Sequence, residues 1–80
     1  MGIELGRYLR KCRLAAGVTQ REVSGKLGHT TAQYVSNIER GVSRPPKNWL
    51  RTYCRVVGAN PLRVREMWVN DVRSELNGVL

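Results

Sequence analysis

The stretch that decides the fold is TQREVSGKLGHTTAQYVSNIERG, residues 19–41, and its pattern predicts two short helices joined by a tight turn. Thr19 followed three residues later by Glu22 forms a capping box, in which each side chain accepts a free backbone N–H at the start of the first helix. Gly28 can adopt the positive φ with which helices often end, so the first helix is predicted to end there. Gly41 ends the second helix in the same way.

The turn between these helices contains His29, the only histidine of the chain, and Thr30. Either Thr30 or Thr31 can cap the second helix. A single histidine cannot support the usual acid–base sets of enzymes, and the sequence contains no nucleophile–base–acid set and no phosphate-cradling Gly loop. We therefore expect no enzyme activity, and we interpret His29 as a turn residue that can lie near a phosphate.

The second helix presents two different faces. At about 100° per residue, Val35 and Ile38 point one way, as core residues would. The candidate base-reading residues cluster on another arc: Thr31, Ala32, Gln33, Ser36, Asn37 and Arg40. Amide side chains can pair with adenine and Arg with guanine in the major groove of DNA. Taken alone, such a polar arc is better explained as an ordinary solvated helix face. The capped helix and turn that precede it favour the base-reading interpretation instead.

TQREVSGKLG followed by VSNIERG resembles the helix-turn-helix of the phage-repressor and Cro-like (XRE-type) family of bacterial and phage regulators. The resemblance extends back to RKCRLAAG and forward through Pro45, Trp49 and Leu50 to about Trp68. It implies an all-α, five-helix, lambda-repressor-like DNA-binding domain. One departure is that Gly28 to Gly41 is one residue longer than the commonest family spacing, which leaves the start of the second helix open by one position.

The resemblance also implies roles for residues outside the base-reading arc. Arg13 and Glu39 would form a structural ion pair between the first helix and the end of the recognition helix. Gln20 would contact the DNA backbone, which agrees with the affinity of helix N-termini for phosphate. Its neighbour Arg21 could add charge there. Two basic residues that flank a proline pair, Arg44 and Lys47, would hold further phosphates, although a solvated basic loop is the alternative.

Charge is distributed unevenly along the 80 residues. The chain carries a formal net charge of +8, and residues 1–60 hold 11 Lys and Arg against three Asp and Glu, whereas residues 61–80 hold three of each. A basic domain of this kind indicates double-stranded DNA or an anionic surface as partner. No apolar run approaches the ~20 residues of a membrane span, and charges interrupt the first 16 residues, so we expect no signal peptide and a cytoplasmic, nucleoid-associated protein of bacterial or phage origin.

Two cysteines, Cys12 and Cys54, fall on apolar helix positions in separate segments. Together with one histidine they show no metal-ligand spacing, and they are interpreted as reduced core residues in preference to a disulfide. The sequence thus predicts neither a metal site nor a cofactor.

Three further helices complete the predicted domain, which spans residues 1–80. A first helix over residues 3–16 carries an apolar stripe, and a fourth over residues 46–57 has apolar residues on two sides, as a central helix does. The stripe of the first helix consists of Leu5, Leu9, Cys12 and Ala16. A fifth helix is predicted from about residue 61 to 77, with Asn77-Gly78 as its end.

The fifth helix carries Leu62, Val69, Val72 and Leu76 on or near one face. Its charge is balanced, so we interpret Val69, Val72 and Leu76 as a candidate surface for a second copy or another protein. Packing of this helix on its own domain is the equally weighted alternative.

Two functions from different classes fit this sequence. The first is a sequence-specific transcriptional regulator, expected to be a repressor, that binds a two-fold symmetric operator as a homodimer. The second is a protein-interaction module, such as an antitoxin, whose fifth helix binds a toxin or other regulator and whose helix-turn-helix serves autoregulation. A non-specific DNA coater fits the ordered polar arc poorly.

Overall fold

The chain folds as five α-helices. The computed structural model describes residues 3–28 and 30–79, with side chains as far as residue 73. The helices are α1 (Ile3–Ala16), α2 (Gln20–Leu27), α3 (Ala32–Glu39), α4 (Lys47–Val57) and α5 (Pro61–Val79). This all-α order is the predicted one, and no strand occurs within the described ranges. No described helix is both long and apolar enough to cross a membrane.

Caps define the helix-turn-helix as its sequence predicts. Thr19 accepts a hydrogen bond from the Glu22 N–H at 3.0 Å, and the Glu22 carboxylate accepts from the Thr19 N–H at 3.3 Å. Gly28 ends α2 with φ of 97°. Of the two candidate caps for the next helix, Thr31 takes the position, since its hydroxyl accepts from the Tyr34 N–H at 3.2 Å. His29 lies outside the described residues.

The core forms where the inner faces of all five helices meet. Both α2 and α1 pack against α3 and α4, and α5 packs against α4 and α1. The buried apolar residues are Leu5, Leu9, Val23, Val35, Ile38, Tyr53, Cys54, Val57, Ala59 and Val64. Fully burying one such large side chain contributes about 1.5–3 kcal/mol. Helix α4 contributes to this core from two sides of its surface, as its apolar pattern predicts.

Close packing of α1 on α3 depends on Gly6. A Cβ at this position would lie 2.3 Å from the carbonyl oxygen of Ile38 and 2.6 Å from that of Glu39. Only glycine allows such an approach, so the backbone of α1 rests directly on the last turn of α3.

Both cysteines are free thiols, Cys54 buried and Cys12 half-buried. Burial is the main cause that raises the pKa of the Cys54 thiol, with a smaller contribution from Cys12. No three His, Cys, Asp or Glu side chains in the described part of the chain are grouped as a metal site.

The structure corrects the predicted apolar stripe of α1 and shows which face of α5 packs on the domain. In α1, Ala16 is exposed, and Arg13 is buried in its place. In α5, Leu62 is 75% exposed, and the core residue is Val64, which is 1% exposed. The apolar residues of α5 occur at so many phases that their spacing alone does not select a face.

The predicted end of the fifth helix at Asn77-Gly78 is also wrong, because α5 continues to Val79. A helical glycine costs only about 1 kcal/mol relative to alanine, a penalty that one position in a 19-residue helix can absorb.

Candidate nucleic-acid interface

Glu39, at the end of α3, is the residue through which that helix is held in place. It is 5% exposed. Its carboxylate accepts from Arg13 Nε at 2.6 Å and Arg13 Nη2 at 3.1 Å, which is the ion pair that the resemblance implies. It also accepts from Gln20 Nε2 at 3.1 Å and from the Tyr53 hydroxyl at 3.2 Å. One carboxylate therefore joins α3 to α1, α2 and α4.

The surroundings of this carboxylate determine the protonation of its partners. The hydrogen bond to Glu39 is the largest cause that raises the pKa of Arg13, so this guanidinium stays charged. Burial, followed by the negative charge of Glu39, raises the pKa of Tyr53 far above that of a solvated tyrosine, so its hydroxyl stays a donor. Arg13 Nη1 additionally donates to the carbonyl of Val18 at 2.8 Å, which fixes the entry to α2. Because the buried charge is matched and fully hydrogen-bonded, the group is stable in the interior.

On the outer side of α3, three polar side chains form a hydrogen-bonded network. Gln33 Nε2 donates to Asn37 Oδ1 at 3.1 Å, and Arg40 Nη2 donates to the same oxygen at 2.6 Å. Gln33 and Arg40 are exposed, and Asn37 is half-buried. Both bonds use only the carbonyl oxygen of Asn37. The amide and guanidinium groups are thus held close together on one solvent-facing surface, as the face prediction expects.

The other candidate base-reading residues lie at the start of α3 and along its inner edge. Thr31 is exposed, and its hydroxyl caps the helix. Ala32 and Ser36 are half-buried. Their small side chains allow another molecule to approach the backbone of α3 closely.

A groove of about 790 Å³ runs along this edge, between the end of α1, the start of α2 and α3. Ala32 and Ser36 line it together with four arginines, the exposed Arg10, Arg21 and Arg40 and the ion-paired Arg13. Arg21 comes from the predicted phosphate set, whereas Arg10 is not among the residues that the sequence singles out. The signal for Arg10 is its position one turn before Arg13, on the side of α1 that faces α3.

Gln20 lies at the start of α2 and lines the groove beside α3. It is half-buried, and its amide nitrogen donates to Glu39. The first turn of α2 nevertheless retains backbone N–H groups at Gln20 and Arg21 that have no acceptor within a helix, and these can receive an anion. These backbone N–H groups and the second N–H of the Gln20 amide are therefore the donors available to a phosphate.

The two other predicted phosphate residues lie apart from this groove. Arg44 is half-buried in the loop that follows α3, where the backbone N–H groups of Val42 and Ser43 donate to the Asn37 carbonyl at 2.9 and 3.2 Å. Lys47 is exposed and lines a second groove, between α4 and α5. The structure thus brings Arg21 to the face of α3 but does not bring Lys47 there.

The candidate partner surface on α5 is partly described. Val69 is 37% exposed, and Val72 is half-buried. The side chain of Leu76 lies outside the described part of the chain.

Comparisons with known proteins match this arrangement. The family described as a helix-turn-helix domain matches the chain over residues 4–67. The crystal structure of ClgR, the clp gene regulator from C. glutamicum, superposes with a TM-score of 0.70 at 28% sequence identity, over 88% of this chain and 90% of that one. None of the curated proteins compared with the chain matches it.

Proposed function

Because the chain belongs to the helix-turn-helix domain family, we propose that it regulates transcription by inserting α3 into the major groove of specific DNA sequences. The observation that carries the proposal is the solvent-facing network of Gln33, Asn37 and Arg40 on α3. A network of this kind is preorganised, so less side-chain entropy is lost when its members bind bases. The similarity to a clp gene regulator supports the same conclusion.

Base reading is assigned to the outer side of α3. Asn37 and Gln33 are suited to the paired donor and acceptor of adenine, and Arg40 to the two acceptors of guanine. Thr31, Ala32 and Ser36 are small enough to let α3 enter the groove and to contact a thymine methyl group or a base edge.

Phosphate binding is assigned to the arginines that surround this face. Arg10 and Arg21 line the same groove as Ala32 and Ser36, so they would meet the DNA strand that borders α3. The backbone N–H groups at the start of α2 would hold one phosphate of this strand. Arg44 and Lys47 follow α3 in the chain and would contact the strand on its far side, positioning the domain without reading sequence.

The proposed complex is a homodimer on a two-fold symmetric operator. Two copies of α3 would enter successive major grooves about 34 Å apart on one face of the DNA. Occupying promoter DNA in this way would make the protein a repressor, since polymerase could not bind there.

An alternative is an antitoxin-like module, in which the DNA contacts serve autoregulation and α5 binds a different protein. The observation that favours it is Val69, which is apolar and 37% exposed on α5. This alternative predicts a monomer on DNA until the partner is added.

Selection of binding sites from random duplex DNA by the purified chain tests the proposal. We expect enrichment of an inverted repeat whose half-sites are centred about one helical turn apart. Enrichment of a single half-site would favour the alternative, and absence of enrichment at moderate salt would refute sequence-specific binding. Light scattering of the complex would then give the number of protein copies per site.

A further inference from the structure

A second groove, of about 560 Å³, lies in the corner between α4 and α5. Its volume falls in the range of protein binding sites. It is lined by Lys47, Leu50, Arg51, Cys54 and Arg55 of α4, by Pro61, Val64, Arg65, Trp68 and Val69 of α5, and by Ala59 between the two helices. None of these residues lines the groove beside α3.

The spacing of the lining residues is that of helix packing. On α4 they fall at i, i+3, i+4, i+7 and i+8 from Lys47, and on α5 at the same intervals from Pro61. A stripe with this spacing is the surface that one helix presents to another. Two such stripes that meet in a corner form a groove that can bind a third helix of about three turns.

The charged residues that line this groove are all basic. Lys47, Arg51 and Arg55 form a basic ridge with four-residue spacing along α4, and Arg65 adds a fourth cation on α5. No acidic residue is among those that line the groove. Between the cations lie apolar groups, of which Leu50 and Trp68 are half-buried and Val69 is exposed. An apolar floor with a cationic rim is complementary to an apolar stripe flanked by carboxylates.

The groove is held in shape by contacts outside it. Trp68 Nε1 donates to the carbonyl of Pro45 at 3.2 Å, which ties α5 to the loop after α3. At the other end, the N–H of Asn60 donates to the Tyr8 hydroxyl at 3.0 Å, and the guanidinium of Arg63 lies 4.9 Å from the centroid of the Tyr8 ring. Because the groove is preformed, little conformational entropy of its side chains is lost when a partner binds.

We propose that the α4–α5 groove binds an acidic amphipathic helix of another protein, through an apolar stripe on its floor and Asp or Glu side chains on its rim. This inference goes beyond the proposed DNA contacts and uses different residues, except for Lys47, which is also a proposed phosphate contact. It places the partner surface in the corner between two helices, with Val69 as its exposed apolar edge. The two grooves share no lining residue, and Lys47 is the one proposed phosphate contact that also lines this groove.

Synthetic helices of about 18 residues provide the probes. The first carries Leu at helical i, i+3, i+4, i+7 spacing with Glu on both flanks, the second replaces each Glu with Lys, and the third replaces each Leu with Ser. With fluorescein-labelled peptides and the full 80-residue chain, fluorescence anisotropy should show saturable binding of the first alone. Binding of the Lys peptide with equal affinity, or no binding of the Glu peptide, would overturn the proposal.

Four variants of the protein localise the binding. Val69→Asp and Arg51→Glu alter the groove at positions that are exposed and so are compatible with folding. Leu62→Asp and Arg73→Glu are matched controls, since both residues are exposed on α5 and neither lines the groove. We expect each groove variant to lower the affinity for the Glu peptide about tenfold or more, as loss of an interface anchor does. Each control should change that affinity less than about twofold. Equal effects of both pairs would refute the assigned location.

Two further measurements distinguish binding in this groove from peptide binding on the DNA surface and from self-association. Arg21→Glu reverses one charge in the groove beside α3. If it lowers the affinity for the Glu peptide as much as Arg51→Glu does, the peptide binds the DNA surface and the proposal fails. If Val69→Asp converts a dimer to a monomer in light scattering while the Glu peptide never binds, the occupant is a second copy of this chain and the proposal also fails. DNA binding by Arg51→Glu, measured in parallel, tests the proposed function separately, since Arg51 is assigned neither to the DNA contacts nor to the candidate dimer surface.

Discussion

The carboxylate of Glu39 accepts hydrogen bonds from three other helices, and each donor has a different chemical character. Arg13 supplies the compensating charge, Gln20 an amide, and Tyr53 a neutral hydroxyl. The ion pair follows from the resemblance to the Cro-like family. The sequence does not predict the hydroxyl bond, because α4 shows Tyr53 only as one apolar residue among several, and its phase does not reveal where its oxygen points.

Stability at alkaline pH should report on the Tyr53 hydroxyl. An unfolded tyrosine loses its proton near the ordinary pKa of 10.0, whereas burial and Glu39 raise the pKa of folded Tyr53. The free energy of unfolding should therefore be unaffected by this group below about pH 9, and should fall above about pH 10 by up to ~1.4 kcal/mol per pH unit. Urea unfolding from pH 8 to 11 measures this slope.

Two variants assign that slope. Tyr53→Phe should be less stable at neutral pH, since it loses the bond to Glu39, and should show a smaller alkaline decline. Tyr34→Phe keeps the Tyr53 hydroxyl and should retain the decline of the parent chain. An equal slope in all three proteins would show that Tyr53 is not the titrating group.

Base discrimination should depend on Asn37 more than on its neighbours. Asn37→Ala removes both the amide proposed to bind a base and the acceptor that holds Gln33 and Arg40. We expect a loss of ~1–3 kcal/mol on the selected DNA site and relaxed preference at more than one base pair. Gln33→Ala should relax preference at a single base pair. Competition titrations with singly substituted sites distinguish these results, and a uniform loss on random DNA would remove both residues from the base-reading set.

At the scale of elements, the local signals of the sequence determine the helix-turn-helix well. The capping box at Thr19 and the end at Gly28 are short-range features, and the structure has both. Helix α5 is harder to predict because Leu62, Val64, Met67, Trp68 and Val69 occupy several phases. Contacts with α1, α4 and the Pro45 carbonyl, which are distant in sequence, select the inner face.

Two glycines in different helices make a matched pair of tests for element packing. Gly6→Ala places a methyl group 2.3 Å from a backbone carbonyl of α3, so α1 must move and the free energy of unfolding should fall by about 1–3 kcal/mol. Gly25→Ala in α2 meets no atom within 4 Å and should raise stability by about 0.5–1 kcal/mol through helix propensity. Denaturant unfolding of both variants tests this, and similar effects of the two substitutions would contradict the close α1–α3 approach.

For the whole molecule, two separate grooves each carry a group of basic residues. The groove beside α3 has the exposed Arg10, Arg21 and Arg40 besides the ion-paired Arg13, whereas the α4–α5 groove has Lys47 and three arginines. The sequence reveals the excess of positive charge in residues 1–60 but not this division, since it depends on how the helices pack. The sequence analysis places Lys47 and Arg44 together in the phosphate-binding set because they are close along the chain. In the structure they border different parts of the surface.

Salt dependence of DNA binding should distinguish these surfaces. Arg10→Ala is expected to weaken binding to every sequence and to reduce the slope of log K against log salt by about one, because one phosphate contact is lost. Lys11→Ala serves as the control, since it removes an equal charge from an exposed neighbour that does not line the groove. Titrations between low and moderate salt give both slopes, and identical slopes for the two variants would exclude Arg10 as a phosphate contact.

The bonds of Glu39 also bear on how regulators of this type can diversify. The residues that dock α3 onto the other helices, chiefly Val35, Ile38 and Glu39, are not those of the exposed network. Substituting the outer residues therefore leaves the docking of the helix unchanged. A duplicated copy of this chain could acquire a new target sequence through a few substitutions on one side of α3, without first losing its fold.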